Sequence, residues 1–463
     1  MDRFQFVVIG AGPAGEAAAY KARELGATVA IVDRGWFGGS CPHIGCVPSK
    51  ALLHSAAVHA GGGDERWSKA SARRDYMVNR AADAAEPDDS GHVEGLRKAG
   101  AEPIRGDARI SGRGRVQVTH DGSTRDLEAD HVIVAIGSKT KIPPIDGLEA
   151  IHPWTNREAT LTRELPRSLL VLGGGPTGVE LAQVFVRFGV PTTIVQSGPR
   201  LLPSDHPRNA ETIEQALRRD GVAIRTAVRA QRARAGAGTD GAHVVELDDG
   251  STAEAHVVLL ASGRAFELDR VGLEHYGLDA SARDGVPHDG RLRVADGLWI
   301  AGDAAGPELH THQGHYQGEL AVRMALGESI EQDYRALPRA TYTDPEAAFV
   351  GVALDAARKD GLDAFELVAD FAATAKGYSV EAEFGHVTIV VDRGTRELVG
   401  AAMAVPDASA AIHECVLAIK ARVPVDVLAE TIHAFPSTSR ILNGLFADAR
   451  RELDRPGSVV KAG

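Results

Sequence analysis

Phe4-Gln-Phe-Val-Val-Ile9-Gly10-Ala-Gly12-Pro-Ala-Gly15 decides how the rest of the chain is read. An apolar, β-branched run halted by a glycine reads as a buried parallel strand. The G-x-G-x-x-G that follows opens a helix, and the helical pattern runs from Ala14 to Leu25 before a second buried strand at Thr28 to Val32. Gly10 allows the tight turn, Gly12 lets a pyrophosphate approach the main chain, and Gly15 permits close helix packing. Pro13 and Ala14 stand at the helix N-terminus, where the dipole favours phosphate. Asp33 closes the second strand twenty-three positions after Gly10, where a ribose hydroxyl needs an acceptor. A glycine turn that merely packs a helix on a sheet would not need that acid.

The same grammar returns at 168–172 (strand), 177–188 (helix) and 192–195 (strand), with Gly173-Gly-Gly175-Pro-Thr-Gly178 as its fingerprint. The expected fold class is therefore α/β with two Rossmann-like dinucleotide-binding domains. At the second site Gln196 takes the place of the acid. A neutral amide does not repel a 2′-phosphate, which leans the expectation towards NADPH, with NADH as the alternative. Ser197 and Arg200 lie close enough in sequence to meet that phosphate, although Arg200 also reads as a solvated loop charge.

Further out, residues 51–100 are Ala-rich and charged and read as long exposed helices. Residues 101–127 alternate like an antiparallel meander, with turns at Ser111-Gly112 and Asp121-Gly122, and residues 129–136 read as a separate apolar strand. Leu298-Trp-Ile-Ala-Gly302-Asp303 repeats the strand-then-glycine pattern. After Pro338 strand alternation mixes with amphipathic helix, as in a separate C-terminal α+β domain.

With 463 residues the chain has room for about three domains. Its 51 Lys and Arg against 63 Asp and Glu give a formal net charge of -12, which argues against a nucleic-acid partner. No window of about 18 uncharged apolar residues exists, so no membrane span is expected. The glycines after Ile9 interrupt what would otherwise resemble a signal peptide, and a cytoplasmic location is expected. Three cysteines in so long a chain are no extracellular disulfide scaffold.

Two of those cysteines lie in Gly38-Gly39-Ser40-Cys41-Pro-His43-Ile-Gly45-Cys46-Val-Pro48-Ser-Lys50. Positions five apart fall on different faces of an ideal helix, so joining the sulfurs requires a distortion that Pro42 and Gly45 can supply. A metal site would need further ligands at CxxC-type spacing, and packing thiols would not need the glycines. A redox dithiol is the reading that uses the whole stretch.

This motif resembles that of the class I pyridine nucleotide-disulfide oxidoreductases, the family of dihydrolipoyl dehydrogenase, glutathione reductase and mercuric reductase. The likeness extends to Ala135-Ile-Gly137-Ser, to Trp299-Ile-Ala-Gly302-Asp303, and to Tyr342-Thr-Asp-Pro-Glu346 with Val350-Gly351 at the start of a dimerisation domain. It implies an FAD domain in residues 1–147 and 268–336, an NAD(P) domain in 148–267 and a dimer-forming domain in 337–463. FAD would be held by Gly10, Gly12, Pro13, Ala14, Gly15, Asp33, Gly39, Ser40, Lys50, Gly137 and Asp303, and NAD(P)H by Gly173, Gly175, Gly178, Gln196 and Arg264. By the same resemblance, hydride passes from nicotinamide to flavin and onward to a Cys41–Cys46 disulfide. Cys46 is then the flavin-side thiol, Cys41 the exchange thiol, and Lys50 and Glu180 a charge pair beside them.

The resemblance fails at His433-Ala-Phe435-Pro436-Ser-Thr-Ser-Arg440. Phe435 stands where the family carries its acid–base histidine, and Arg440 where it carries the orienting acid. His433 is then either a displaced acid–base group or a packed histidine. His43, usually Asn in the family, is either a proton shuttle at the thiols or a filler of that space. His310, His312 and His315 suggest a metal, but their lack of acidic company favours a flavin-lining segment, and Cys415 reads as core. The expected function is an FAD-dependent NAD(P)H oxidoreductase and homodimer, serving a small-molecule electron acceptor through Cys41–Cys46. It is dihydrolipoyl dehydrogenase-like in pattern, with a quinone or metal-ion reductase, a dithiol oxidase or a non-enzymatic redox sensor as alternatives.

Overall fold

A computed structural model describes residues 2–81, 86–279 and 285–455. The first sheet is built on Asp2–Ile9, which pairs in parallel with Val29–Asp33 on one side and Ser123–Val134 on the other. Val8 lies between Ile31 and Ile133, and all three are fully buried. Side chains of that size contribute about 1.5–3 kcal/mol each on burial. Glu102–Arg105 and Leu298–Ile300 extend the parallel set at either edge, so residues from both ends of the first 300 share one sheet. Helices Pro13–Glu24 and Thr311–Ala325 cross at Gly318, where a Cβ would collide with the Ala14 main chain.

Leu169–Leu172, Thr192–Gln196, Ala223–Thr226 and Val257–Leu260 form a second, wholly parallel sheet, with Pro176–Arg187 packed on it. An antiparallel trio, Ala230–Arg234, His243–Leu247 and Thr252–Ala255, accompanies it. The chain enters and leaves this unit through Lys139–Thr140 and Arg264–Ala265, which pair with each other. The C-terminal unit is a five-stranded antiparallel sheet covered by Ala408–Ala421 and Thr438–Leu453. This mixed architecture agrees with the expected fold class.

Two expectations need correction. Residues 51–100 are helical as expected but only partly exposed: Leu52, Ala56, Trp67 and Ala70 share one core with Val179, Leu181 and Phe185, whereas Ser90–Lys98 buries only Leu96. An alanine-rich surface packs closely, so small residues here mark contact and not solvent. The helices are Cys46–Ala60, Trp67–Asn79 and Ser90–Lys98; residues 82–85 lie outside the described ones. Nor do residues 101–127 and 129–136 separate. Ser123–Val134 is one twelve-residue strand whose polar first half pairs with Arg115–His120 and whose apolar second half runs beside Asp2–Ile9. Among the described residues no helix is long and apolar enough to cross a membrane.

Candidate functional site

The cysteine loop is a broken helix. Ser40–His43 makes one turn, Gly45 departs from helical geometry, and Cys46 opens the fifteen-residue helix Cys46–Ala60. A Cβ on Gly45 would sit 2.9 Å from the Ser40 carbonyl oxygen and 3.2 Å from Cys41 Cα, so glycine lets the two segments fold against each other. The distortion that brings sulfurs five residues apart together is this break. Cys41 and Cys46 are half-buried thiols that hydrogen-bond to one another. Gly38 and Gly39 have φ of +89° and +69°, and a Cβ on Gly39 would lie 2.7 Å from Gly12 Cα. The loop therefore lies directly across the first fingerprint.

Lys50, one turn beyond Cys46, donates to Glu180 Oε2 at 2.7 Å, while Glu180 Oε1 accepts from the Tyr342 main chain at 3.0 Å. The Lys50 ammonium lies 4.6 Å from the centroid of the Tyr342 ring. Burial pulls the Lys50 ammonium towards neutrality, but the Glu180 carboxylate outweighs it and leaves its pKa raised. The Cys46 thiol is pulled down to about 6, chiefly by the hydrogen bond from Cys41 and against burial; Thr311 and the Lys50 charge add to the effect. Cys41 moves the opposite way because it keeps the shared proton. Position at a helix N-terminus assists the Cys46 thiolate in the same direction.

The fingerprints divide their glycines between packing and open space. Cβ atoms on Gly10 and Gly15 would collide with main chain, as would those on Gly173 and Gly178. By contrast, a Cβ on Gly12 would meet only Gly39 Cα at 3.9 Å, and one on Gly175 would meet nothing within 4 Å. Open space beside a glycine at a helix N-terminus is what a pyrophosphate needs, so the residues present fit FAD at the first site and a nicotinamide dinucleotide at the second.

Asp33 and Gln196 do the same local work. Asp33 Oδ2 accepts from Ala11 N at 2.7 Å, and Gln196 Oε1 accepts from Gly174 N at 3.0 Å, each holding its glycine loop to the following strand. Arg200 donates to the carbonyls of Leu202, Pro203 and Asp205. The cation nominated for a 2′-phosphate is thus engaged by its own loop. Asp303 accepts from the Ser138 hydroxyl, while Arg264 donates to Ser138 Oγ at 2.9 Å and to its carbonyl at 2.6 Å. Gly137, next in the chain, has φ of +63° with open space around its Cβ position.

Two of the nominated histidines are occupied elsewhere. His43 donates from Nε2 to the Phe37 carbonyl at 2.8 Å, with its ring between Trp36 and His92. Burial lowers its pKa, and neither cysteine is among its hydrogen-bond partners in the described residues. His433 is held as the packed alternative describes: its Nδ1 meets the Thr431 carbonyl at 2.8 Å and its Nε2 meets Glu414 Oε1 at 2.6 Å. With both ring nitrogens facing acceptors and a side chain only 6% exposed, it has no free position for exchanging a proton with substrate. Phe435 is 73% exposed and Ile432 beside it 98%. Arg440 bonds Asn443 in its own helix.

His310 and His312 stack at 5.0 Å, and among the described residues no group of three or more ligating side chains is arranged for a metal. Between them stands Thr311, whose Oγ1 is 3.5 Å from Cys46 Sγ. Sequence reading passed over it for the histidines. Its one available signal was position, as the first residue of the helix Thr311–Ala325. Cys415 is fully buried, as expected of core.

The pyridine nucleotide-disulphide oxidoreductase family model matches residues 4–321, and that family's dimerisation-domain model matches residues 337–444. Among characterised relatives, the dihydrolipoyl dehydrogenase of Chlorobaculum tepidum is 32% identical over 468 residues, covering 97% of this chain and 98% of that protein. The dihydrolipoyl dehydrogenase of Mycobacterium tuberculosis is 31% identical over 455 residues, covering 96% and 98%. Among solved structures, the Cu(II) complex of the HOCl-induced flavoprotein disulfide reductase RclA from Escherichia coli superposes with a TM-score of 0.86. It is 26% identical and covers 96% of this chain and 99% of that one. LpdA from Mycobacterium tuberculosis superposes with a TM-score of 0.84 at 28% identity, covering 98% and 100%.

Proposed function

The chain belongs to the pyridine nucleotide-disulphide oxidoreductases, enzymes that work with FAD and NAD(P)H, and on that footing we propose that it delivers electrons through Cys41 and Cys46 to a small-molecule acceptor. The observation that carries this reading is the set of groups around Cys46: Cys41 brought beside it by the break at Gly45, Thr311 Oγ1 at 3.5 Å, and Lys50, fixed by Glu180, supplying positive charge. A thiolate kept in that setting at neutral pH is a poised electron donor, not a packing sulfur. FAD, when bound, supplies the two-electron exchange between nicotinamide and sulfur. Gly12, Gly39, Asp33, Gly137 and Asp303 are the residues that would hold it, and Gly175 and Gln196 would seat the nucleotide.

The acceptor we infer is one that asks for no acid–base partner, such as a quinone or a metal ion, in preference to a lipoamide-type disulfide. Releasing a substrate thiol requires a proton delivered at the departing sulfur. Phe435 cannot carry one, and both nitrogens of His433 are held. The Cu(II) complex of the E. coli relative supports including copper among the acceptors to be tried.

Mixing the holoenzyme rapidly with NADPH or NADH tests the first part. Fast reduction with growth of a long-wavelength thiolate–flavin absorbance is expected; inertness towards both nucleotides overturns the proposal. Steady-state turnover with lipoamide, glutathione disulfide, quinones and Cu(II), in wild type and Cys41→Ser, tests the second. Lipoamide as much the fastest acceptor would defeat the inference from Phe435, and unchanged quinone or Cu(II) turnover in Cys41→Ser would remove the dithiol from the route.

A further inference from the structure

We propose that the Thr311 hydroxyl is a direct hydrogen-bond donor to the Cys46 thiolate and, with Cys41, sets how firmly that sulfur holds its negative charge. The inference rests on reading Cys46 as the electron-donating thiol. Reduction of the disulfide breaks the S–S bond, takes two electrons and one proton, and leaves Cys41 as thiol and Cys46 as thiolate. That thiolate has lone pairs to be satisfied in a half-buried place, and unmet hydrogen bonds to a charged group are costly there.

Two donors reach it: the Cys41 S–H, and Thr311 Oγ1 at 3.5 Å, a normal separation for a bond to sulfur. Before deprotonation either partner can be the donor. Once Cys46 has lost its proton only the hydroxyl can. Thr311 Oγ1 also reaches the Cys41 sulfur, and among the described residues no hydrogen bond takes it to the main chain of its own helix, so its proton is available to the cysteine pair.

The surroundings keep this contact electrostatically simple. Cys46 begins the helix Cys46–Ala60 and Thr311 begins the helix Thr311–Ala325, so two positive helix ends converge on one sulfur. The charged and titratable groups around it are Cys41, Lys50, Glu180 and Tyr342. His310 and His312, on either side of Thr311, stack on each other, and burial lowers both pKa values, His310 to about 4. Both are neutral near pH 7 and add no competing charge. His312 donates from Nε2 to the Pro338 carbonyl at 2.9 Å, which helps to anchor the turn that presents the hydroxyl.

The experiment is a pH titration of the long-wavelength thiolate–flavin absorbance in the two-electron-reduced holoenzyme, for wild type, Thr311→Val and Thr311→Ser. Removing a hydrogen bond to a charged group is expected to raise the midpoint in Thr311→Val by about one pH unit. Thr311→Ser, which keeps the hydroxyl, should titrate close to wild type. If Thr311→Val loses FAD, the pair Thr311→Ser and Thr311→Ala, which differ by the hydroxyl, carries the same comparison. Equal midpoints for wild type and Thr311→Val, or a shift as large in Thr311→Ser, would overturn the inference and leave the electron route intact. No such absorbance in the wild type at any pH would remove the electron route and this inference with it.

Discussion

Lys50 and Gln196 show how much rests on single side chains. Lys50 favours the charged form of Cys46, helping to pull its pKa down to about 6. In Lys50→Met that support disappears, and Glu180 is left as an unopposed negative charge near the sulfur. Both changes favour the protonated thiol, so the midpoint rises, by about one unit for a single nearby charge. The thiolate–flavin absorbance should consequently fade near pH 6 to 7 and recover at higher pH; a midpoint unchanged in titration would contradict the charge argument. Gln196→Glu asks a different question. A carboxylate can keep the acceptor that holds Gly174 N, so the loop should survive while a negative charge appears where a 2′-phosphate would sit. A penalty of about 1.4 kcal/mol, roughly tenfold, is expected in kcat/KM for NADPH against NADH relative to wild type. An unchanged ratio would place the 2′ position elsewhere.

At the scale of elements, the broken helix around Gly45 is what turns two cysteines into a couple. Gly45→Ala must push the Ser40–His43 turn away from Cys46, because the new Cβ would press on both Ser40 and Cys41. A loss of about 1–3 kcal/mol of stability is expected. Closure of the Cys41–Cys46 disulfide by an added oxidant should slow several-fold, read by thiol counting with time; closure at the wild-type rate would mean that the break is not what aligns the sulfurs. Elements of this kind were legible in the sequence because glycine spacing records a steric demand within a few residues. Gly10, Gly12 and Gly15 announce a turn, an opening and a helix contact before any fold is known. Thr311 was not legible in that way, since its hydroxyl reaches Cys46 across 265 positions and no local pattern records the meeting. Gln196 was legible as an uncharged residue but not as the amide that closes Gly174. Which of its two readings His433 takes was not legible for the same reason: Glu414, its partner on the helix Ala408–Ala421, carries no spacing signal. Lys50 and Glu180, 130 positions apart, were paired through family resemblance and not through periodicity.

Across the whole molecule, one helix joins the three units at the site. Glu180, Gln183 and Arg187 lie on one face of Pro176–Arg187 and bond Tyr342 N, both main-chain groups of Asp344, and the Asp344 carboxylate. The C-terminal unit is thereby fastened to the unit of the second parallel sheet at the point where Lys50 arrives from the first. Its remaining surface exposes Leu417, Val427, Ile432 and Phe435 to 67%, 53%, 98% and 73%. Large apolar side chains exposed on a unit that matches a dimerisation model call for a covering surface, and a second copy of this chain is the partner that model implies. Covering each such side chain is worth about 1.5–3 kcal/mol, so replacing two by carboxylates opposes association twice over: apolar contact is lost and charge is forced into the interface. The wild-type holoenzyme is expected to sediment as a dimer, and Leu417→Asp with Ile432→Asp to dissociate at micromolar concentration while remaining folded by circular dichroism. Because Cys41, Lys50, Glu180, Thr311 and Tyr342 surround Cys46 within one protomer, the dissociated variant should still develop the thiolate–flavin absorbance when reduced. A variant that stays dimeric would remove these residues from the interface, and one that turns monomeric without that absorbance would show that the partner completes the setting of Cys46.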